Sequence, residues 1–205
     1  MIKIKSLQNT LCLFILMTIG IADEIVPLTQ RYFHTEDMGV DYSRGTYLIV
    51  LADESLESTL RDEDTGNFIH FKKTQGYNVH VVDINDIGVD ADLLKLYLEN
   101  YYSADSLLEY VLLIGDVDAG GSFRIPAFSV ASYSYPEMDI TDHIYTYFDD
   151  DPLSPDFFIG RWSIRTIDEL EKIKRRSIGY VTMNLPGTSY QLDPSYLNNA
   201  LLVAA

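Results

Sequence analysis

Apolar and polar positions alternate in blocks along the chain, and each block predicts one element. Residues 47–52 are a continuous apolar run, typical of a strand that is covered on both faces of a parallel sheet, and residues 79–84 and 110–114 predict a second and a third strand. Residues 56–76 and 91–102 lie between these runs and have the apolar spacing of helices. This alternation predicts right-handed βαβ units and an α/β fold, a three-layer sandwich with a parallel sheet between helices.

Local signals refine the helices. Residues 61–67 form a polar cluster containing Gly66, which predicts that the first helix is broken there. Residues 156–161 return to a strand pattern, and Thr166 and Glu169 have the spacing of a capping box that opens a further helix.

The remaining segments lack a sustained period. Residues 117–155 are rich in glycine, proline and aromatic residues, and predict either a long functional loop or a set of short strands at the carboxyl edge of the sheet. Residues 184–196 predict a linker, and residues 199–205 (NALLVAA) begin another apolar strand. We therefore expect one α/β subdomain over residues 46–183, and over residues 184–205 a linker and the start of a second, truncated subdomain.

The first 22 residues predict a signal peptide. Lys3 and Lys5 precede an apolar run over residues 11–21, and residues 20–22 (GIA) supply small residues at the positions that a signal peptidase reads, so we expect cleavage after Ala22. A membrane anchor is the alternative, but the run is shorter than the roughly 20 apolar residues that cross a bilayer. The sequence thus predicts a secreted or cell-surface protein without a stable membrane span, with residues 23–45 as a lead-in segment.

Charge and cysteine content limit the possible chemistry. A formal net charge of −16 has the wrong sign for binding nucleic acid through its phosphates. The single cysteine, Cys12, lies inside the predicted signal peptide, so residues 23–205 have no thiol for a disulfide or a nucleophile. The chain also has no Gly-x-Ser-x-Gly motif and no glycine-rich turn after the first strand, which argues against a serine hydrolase and a dinucleotide site.

Carboxylates dominate the candidate sites. Acids lie at the carboxyl ends of the predicted strands, among them Asp53, Asp83 and Asp116. A second group predicts a Ca²⁺ site, since this ion prefers several oxygen ligands; its candidate ligands are Asp149, Asp151 and Asp156. The spacing is not that of an EF-hand, and a solvated acidic turn is the alternative interpretation.

Four ordered blocks resemble the gingipain family of cysteine peptidases: residues 47–53, 68–79, 110–116 and 141–170. The resemblance implies a caspase-like fold of two α/β subdomains, of which this chain is similar to the first. It also implies that the catalytic histidine and cysteine lie in a second subdomain packed against this one, and that this chain alone is inactive toward a polypeptide substrate. Asp142 is the position that corresponds to a supporting acid of the family. Residues 149–154 depart from the Asp-Gly-Asp form common there, and residues 61–67 look like an insertion.

A second class of function stays open from the sequence. An exported module without catalytic activity, binding calcium, a peptide or a cell-surface partner, would share the acidic charge and the lack of a thiol.

Overall fold

The computed structural model describes residues 44–118, 120, 123–132, 136–148, 153–193 and 195. The predicted signal peptide, residues 23–43 of the lead-in segment, the acids at 149–151 and the predicted strand at 199–205 lie outside the described residues. All elements below belong to the compact unit Gly45–Ala205.

A four-stranded parallel sheet forms the centre of this unit. Along the chain the elements are β1 (Thr46–Leu51), α1 (Leu56–Leu60), α2 (Phe68–Thr74), β2 (Asn78–Asp83), α3 (Ile84–Ile87), α4 (Ala91–Ala104), β3 (Leu108–Ile114), β4 (Phe128–Ala131), β5 (Met138–Thr141), a 3₁₀ helix (His143–Thr146), β6 (Phe158–Trp162) and α5 (Ile167–Thr182). The strand order is β2-β1-β3-β6, and all neighbours are parallel.

Helices cover both faces of the sheet. On one face, the rings of Tyr47 and Trp162 contact Phe68 of α2, with centroids 6.3 and 4.7 Å apart. On the other face, His80 of β2 contacts Tyr101 of α4. The central strands β1 and β3 are almost wholly buried, as their continuous apolar runs require. The predicted α/β fold with a three-layer parallel sheet is confirmed.

The predicted helix break is also confirmed. Helix α1 ends at Leu60 and α2 begins only at Phe68. The side chain of Asn67 caps α2 by accepting a hydrogen bond from the backbone N–H of His70 at 2.8 Å. Gly66 has φ +95°, a conformation that the missing Cβ permits.

Two regions differ in detail from the sequence pattern. The second strand ends at Asp83, because its carboxylate accepts from the N–H of Asn85 and starts the short helix α3, which the pattern does not predict. In the region predicted as a loop or short strands, β4 and β5 form a separate antiparallel pair. The capping box of Thr166 and Glu169 is present at the start of α5, as predicted.

None of the helices among the described residues is long and apolar enough to cross a membrane.

Candidate functional site

Arg161, near the end of β6, organises the carboxyl edge of the sheet. Its side chain is only 10% exposed. It forms a bidentate pair with Asp142, with Nε donating to Oδ2 at 2.8 Å and Nη2 donating to Oδ1 at 2.7 Å. The same guanidinium donates to the carbonyl oxygens of Gly115, Ile125 and Pro126, at 3.2, 2.8 and 3.0 Å. One side chain therefore holds the loop after β3 and the start of the 3₁₀ helix against β6.

Asp142, the supporting acid implied by the resemblance, has both carboxylate oxygens bound to Arg161. The next turn is fixed as well, since the buried Tyr145 hydroxyl donates to the Pro126 carbonyl at 2.8 Å. Burial raises the pKa of Tyr145 above its ordinary value, so this hydroxyl keeps its proton. In this arrangement Asp142 holds Arg161 at the carboxyl edge, and its role as a supporting acid stays a prediction.

Asp116 is the second organising carboxylate at this edge. Its Oδ1 accepts from the N–H of Val117 at 2.8 Å and from the hydroxyl of Ser163 at 2.9 Å, and its Oδ2 accepts from Nε of Arg165 at 2.7 Å. The hydrogen bond from Arg165 and then that from Ser163 lower the pKa of Asp116 to about 2. These bonds join the loop after β3 to the turn between β6 and α5.

The depressed pKa of Asp116 predicts a pH-dependent contribution to stability. Because the folded-state pKa lies near 2 and the ordinary value is 3.8, the stabilisation is present above pH 3.8 and is lost as the pH falls toward 2. We expect Asp116→Asn to lower the free energy of unfolding at pH 7 by on the order of 1 kcal/mol, since partial exposure screens the pair. Urea unfolding of both proteins at pH 7, 4 and 2.5 measures this, and a difference that does not shrink at pH 2.5 would refute the assignment.

The other acids near strand ends build turns. Asp53 accepts from the N–H of Ser55 at 2.9 Å, and hydrogen bonds with this residue lower the pKa of Asp53. Asp83 caps α3. Asp116 and Asp142 therefore form hydrogen bonds with residues of other elements, whereas Asp53 and Asp83 bond residues of their own turn.

Of the predicted calcium ligands, only Asp156 lies in the part of the chain that the structure describes. It is exposed, its Oδ2 accepts from the N–H of Phe148 at 3.2 Å, and its own N–H donates to the carbonyl of Thr146 at 2.7 Å. Within the described ranges, no three His, Cys, Asp or Glu side chains converge as a metal site. Calcium binding by Asp149, Asp151 and Asp156 stays a prediction.

Sequence reasoning missed Arg161, Ser163 and Arg165 as organising residues. The sequence does contain one signal for Arg161, since it is a charged residue at the fourth position of a short strand. A charged side chain in a covered strand needs a hydrogen-bonding partner. The partners of Arg161 lie 19 to 46 positions away in the sequence, so the pattern does not identify them.

Comparisons with known proteins agree with this architecture. The model of Peptidase family C25 matches residues 41–205. The crystal structure of the Arg specific cysteine proteinase gingipain R (RGPB) is similar with a TM-score of 0.53 and 24% identity, over 69% of this chain and 29% of that one. The complex of Porphyromonas gingivalis RgpB pro- and mature domains is similar with a TM-score of 0.53 and 26% identity, over 65% of this chain and 29% of that one. No curated protein matches the sequence.

This chain thus spans less than a third of the length of the solved proteins that it resembles.

Proposed function

Because the chain belongs to peptidase family C25, as the match over residues 41–205 shows, we propose that it is the amino-terminal α/β subdomain of an exported gingipain-like cysteine peptidase. A second subdomain supplies the catalytic histidine and cysteine and packs against this one, and the substrate is a polypeptide. Residues 1–22 direct the protein to the secreted or cell-surface compartment.

The position of the single cysteine is the observation that assigns the nucleophile to the second subdomain in this proposal. Thiol catalysis requires a thiolate beside a base, and Cys12 lies in the predicted signal peptide. The described part of the chain has histidines but no cysteine to pair with them. The nucleophile must therefore come from outside residues 23–205.

The carboxyl edge supports a positioning role for this subdomain. Ligand sites of parallel α/β folds form beyond the carboxyl ends of the strands. Here Arg161 and Asp116 fix the two loops that line this edge. We propose Asp142 as the supporting acid, acting through Arg161 on the loops that face the second subdomain.

We expect the purified mature chain, residues 23–205, to show no thiol-dependent peptidase activity. The physical reason is the missing nucleophile in residues 23–205. The measurement is cleavage of a fluorogenic peptide library with and without iodoacetamide, beside a thiol peptidase as positive control. Cleavage that iodoacetamide abolishes would contradict the proposal.

The alternative proposal is an exported, non-catalytic module that binds calcium, a peptide or a cell-surface partner. The observation that favours it is the acidic segment in a chain without a catalytic thiol. Calcium would be held by Asp149, Asp151 and Asp156, of which Asp156 is exposed with one carboxylate oxygen engaged by a backbone N–H.

Thermal unfolding distinguishes a calcium site from a solvated turn. Binding to the folded state alone raises the midpoint as the ligand concentration rises. We expect millimolar CaCl₂ to raise the midpoint relative to EDTA and to MgCl₂, and to have no effect on the double variant Asp149→Asn, Asp151→Asn. Equal midpoints of the parent protein in all three conditions would reject calcium.

A further inference from the structure

Residues 184–192, the strap, fold back on themselves after helix α5. The backbone N–H of Leu185 donates to the carbonyl of Tyr190 at 3.1 Å, and that of Leu192 donates to the carbonyl of Met183 at 2.9 Å. Met183 has φ 58°, the left-handed conformation that ends a helix and turns the chain back. Residues 184–192, which lie within the predicted linker, therefore form a hydrogen-bonded turn.

Glycines allow the strap to pack closely against the α1–α2 break and helix α5, because no side chain separates the backbones. A Cβ on Gly66, in the break between α1 and α2, would lie 2.9 Å from the Pro186 side chain. A Cβ on Gly187 would lie 2.7 Å from the carbonyl oxygen of Asp64, and one on Gly179 would lie 3.2 Å from that of Asn184. The strap thus touches both the α1–α2 break and helix α5 at distances that leave no room for a larger residue.

Two adjacent cations of α5 bind the two sides of this contact. Arg175 donates from Nε to the carbonyl of Pro186 at 3.0 Å. Lys174, fully buried, donates from Nζ to the carbonyl of Thr59 at 2.6 Å and to the hydroxyl of Thr65 at 2.7 Å. Helix α5 therefore holds the strap and the break at neighbouring positions.

The buried charge of Lys174 reaches a surface carboxylate through a hydroxyl. The Thr65 hydroxyl that accepts from Lys174 donates in turn to Asp62. A buried ammonium is costly unless its donors are satisfied, and this relay satisfies it only while residues 61–67 keep their conformation. The conformation of the α1–α2 break and the burial of Lys174 therefore depend on each other.

We propose that the α1–α2 break (residues 61–67), the middle of α5 and the strap form one cooperative latch, which fixes the position from which residues 193 onward continue. The latch does not depend on the proposed peptidase function.

The latch restricts where the chain can continue after the strap. A free linker as long as the strap would let its two ends lie at distances that grow as about 5–6 Å times the square root of the residue number. A docked strap removes that freedom and raises the effective concentration of the following segment beside the fold. The region that looks like an insertion in the sequence is the seat of this latch.

Amide hydrogen exchange of the 205-residue chain, read by mass spectrometry of peptides, tests the latch. We expect the parent to protect residues 185 to 192 and 62 to 67, and Gly66→Ala to accelerate exchange in both segments together by about tenfold or more. Gly160→Ala is the matched control, because a Cβ at Gly160 meets nothing within 4 Å. It should leave both segments unchanged.

Lys174→Met, which keeps most of the unbranched apolar stem but removes the ammonium, provides a second test. It should also release both segments together, while β1 and β3 keep their protection. Exchange of residues 185 to 192 at the unprotected rate in the parent, or acceleration of only one segment in either variant, would overturn the proposal. Because exchange does not report on peptidase chemistry, this result is separate from that of the cleavage assay.

Discussion

Replacing Arg161 by methionine is expected to lower the free energy of unfolding by about 3–5 kcal/mol. The guanidinium is nearly buried and binds Asp142 together with three backbone carbonyl oxygens. Methionine keeps much of the volume but removes the donors of the Asp142 carboxylate and of the Gly115 and Ile125 carbonyls, while the Pro126 carbonyl keeps the Tyr145 hydroxyl. Urea unfolding at pH 7 measures the loss.

Arg165→Met is the control for charge alone, because Arg165 lies close by in the same segment but is 64% exposed and bonds through its side chain only to Asp116. We expect it to cost much less than Arg161→Met, because solvent screens this exposed pair. Arg161→Lys should recover little, since one ammonium cannot reproduce the planar fork. Equal costs for the two methionine variants would show that Arg161 does not organise this edge.

Gly115→Ala is expected to cost about 2–4 kcal/mol. Gly115 has φ +156°, and an added Cβ would lie 2.8 Å from the Cβ of Ala52 and 3.1 Å from the carbonyl oxygen of Phe123. The chain leaves β3 at this residue, and its carbonyl oxygen accepts from Arg161. A Cβ here would strain the backbone and push the loop away from the sheet.

Gly160→Ala, one strand away, is again the matched comparison. Its Cβ would meet nothing within 4 Å, so we expect a change within about 0.5 kcal/mol. A thermal shift assay of both alanine variants gives the comparison. Similar losses in both would show that the tight turn at Gly115 is not what the loop requires.

Much of the fold follows from local sequence signals. The central strands β1 and β3 are apolar runs, and the alternation of strand and helix patterns predicts the parallel arrangement of the four-stranded sheet. Residues 61–67 and the Thr166 capping box are likewise local, and both predictions are confirmed. The resemblance to the gingipain family, read from four ordered blocks, is confirmed by the family match and the solved structures.

The site depends on contacts that the sequence pattern does not contain. Arg161 joins β6 to residues far along the chain, and Lys174 of α5 reaches Thr59, 115 positions earlier. Asp53, Asp83 and Asp116 are alike as acids near strand ends, yet only Asp116 has partners from another element. Tertiary structure decides among them, because the turn after β6 lies beside β3.

The reading frame beyond codon 205 in the source gene tests the central claim most directly. If this chain is the first subdomain of a family C25 peptidase, the frame continues and encodes a second α/β segment with a histidine and a cysteine. Sequencing the transcript across codon 205 gives the answer. A stop codon at that point, or a continuation without a cysteine, would contradict the account and leave the non-catalytic module in its place.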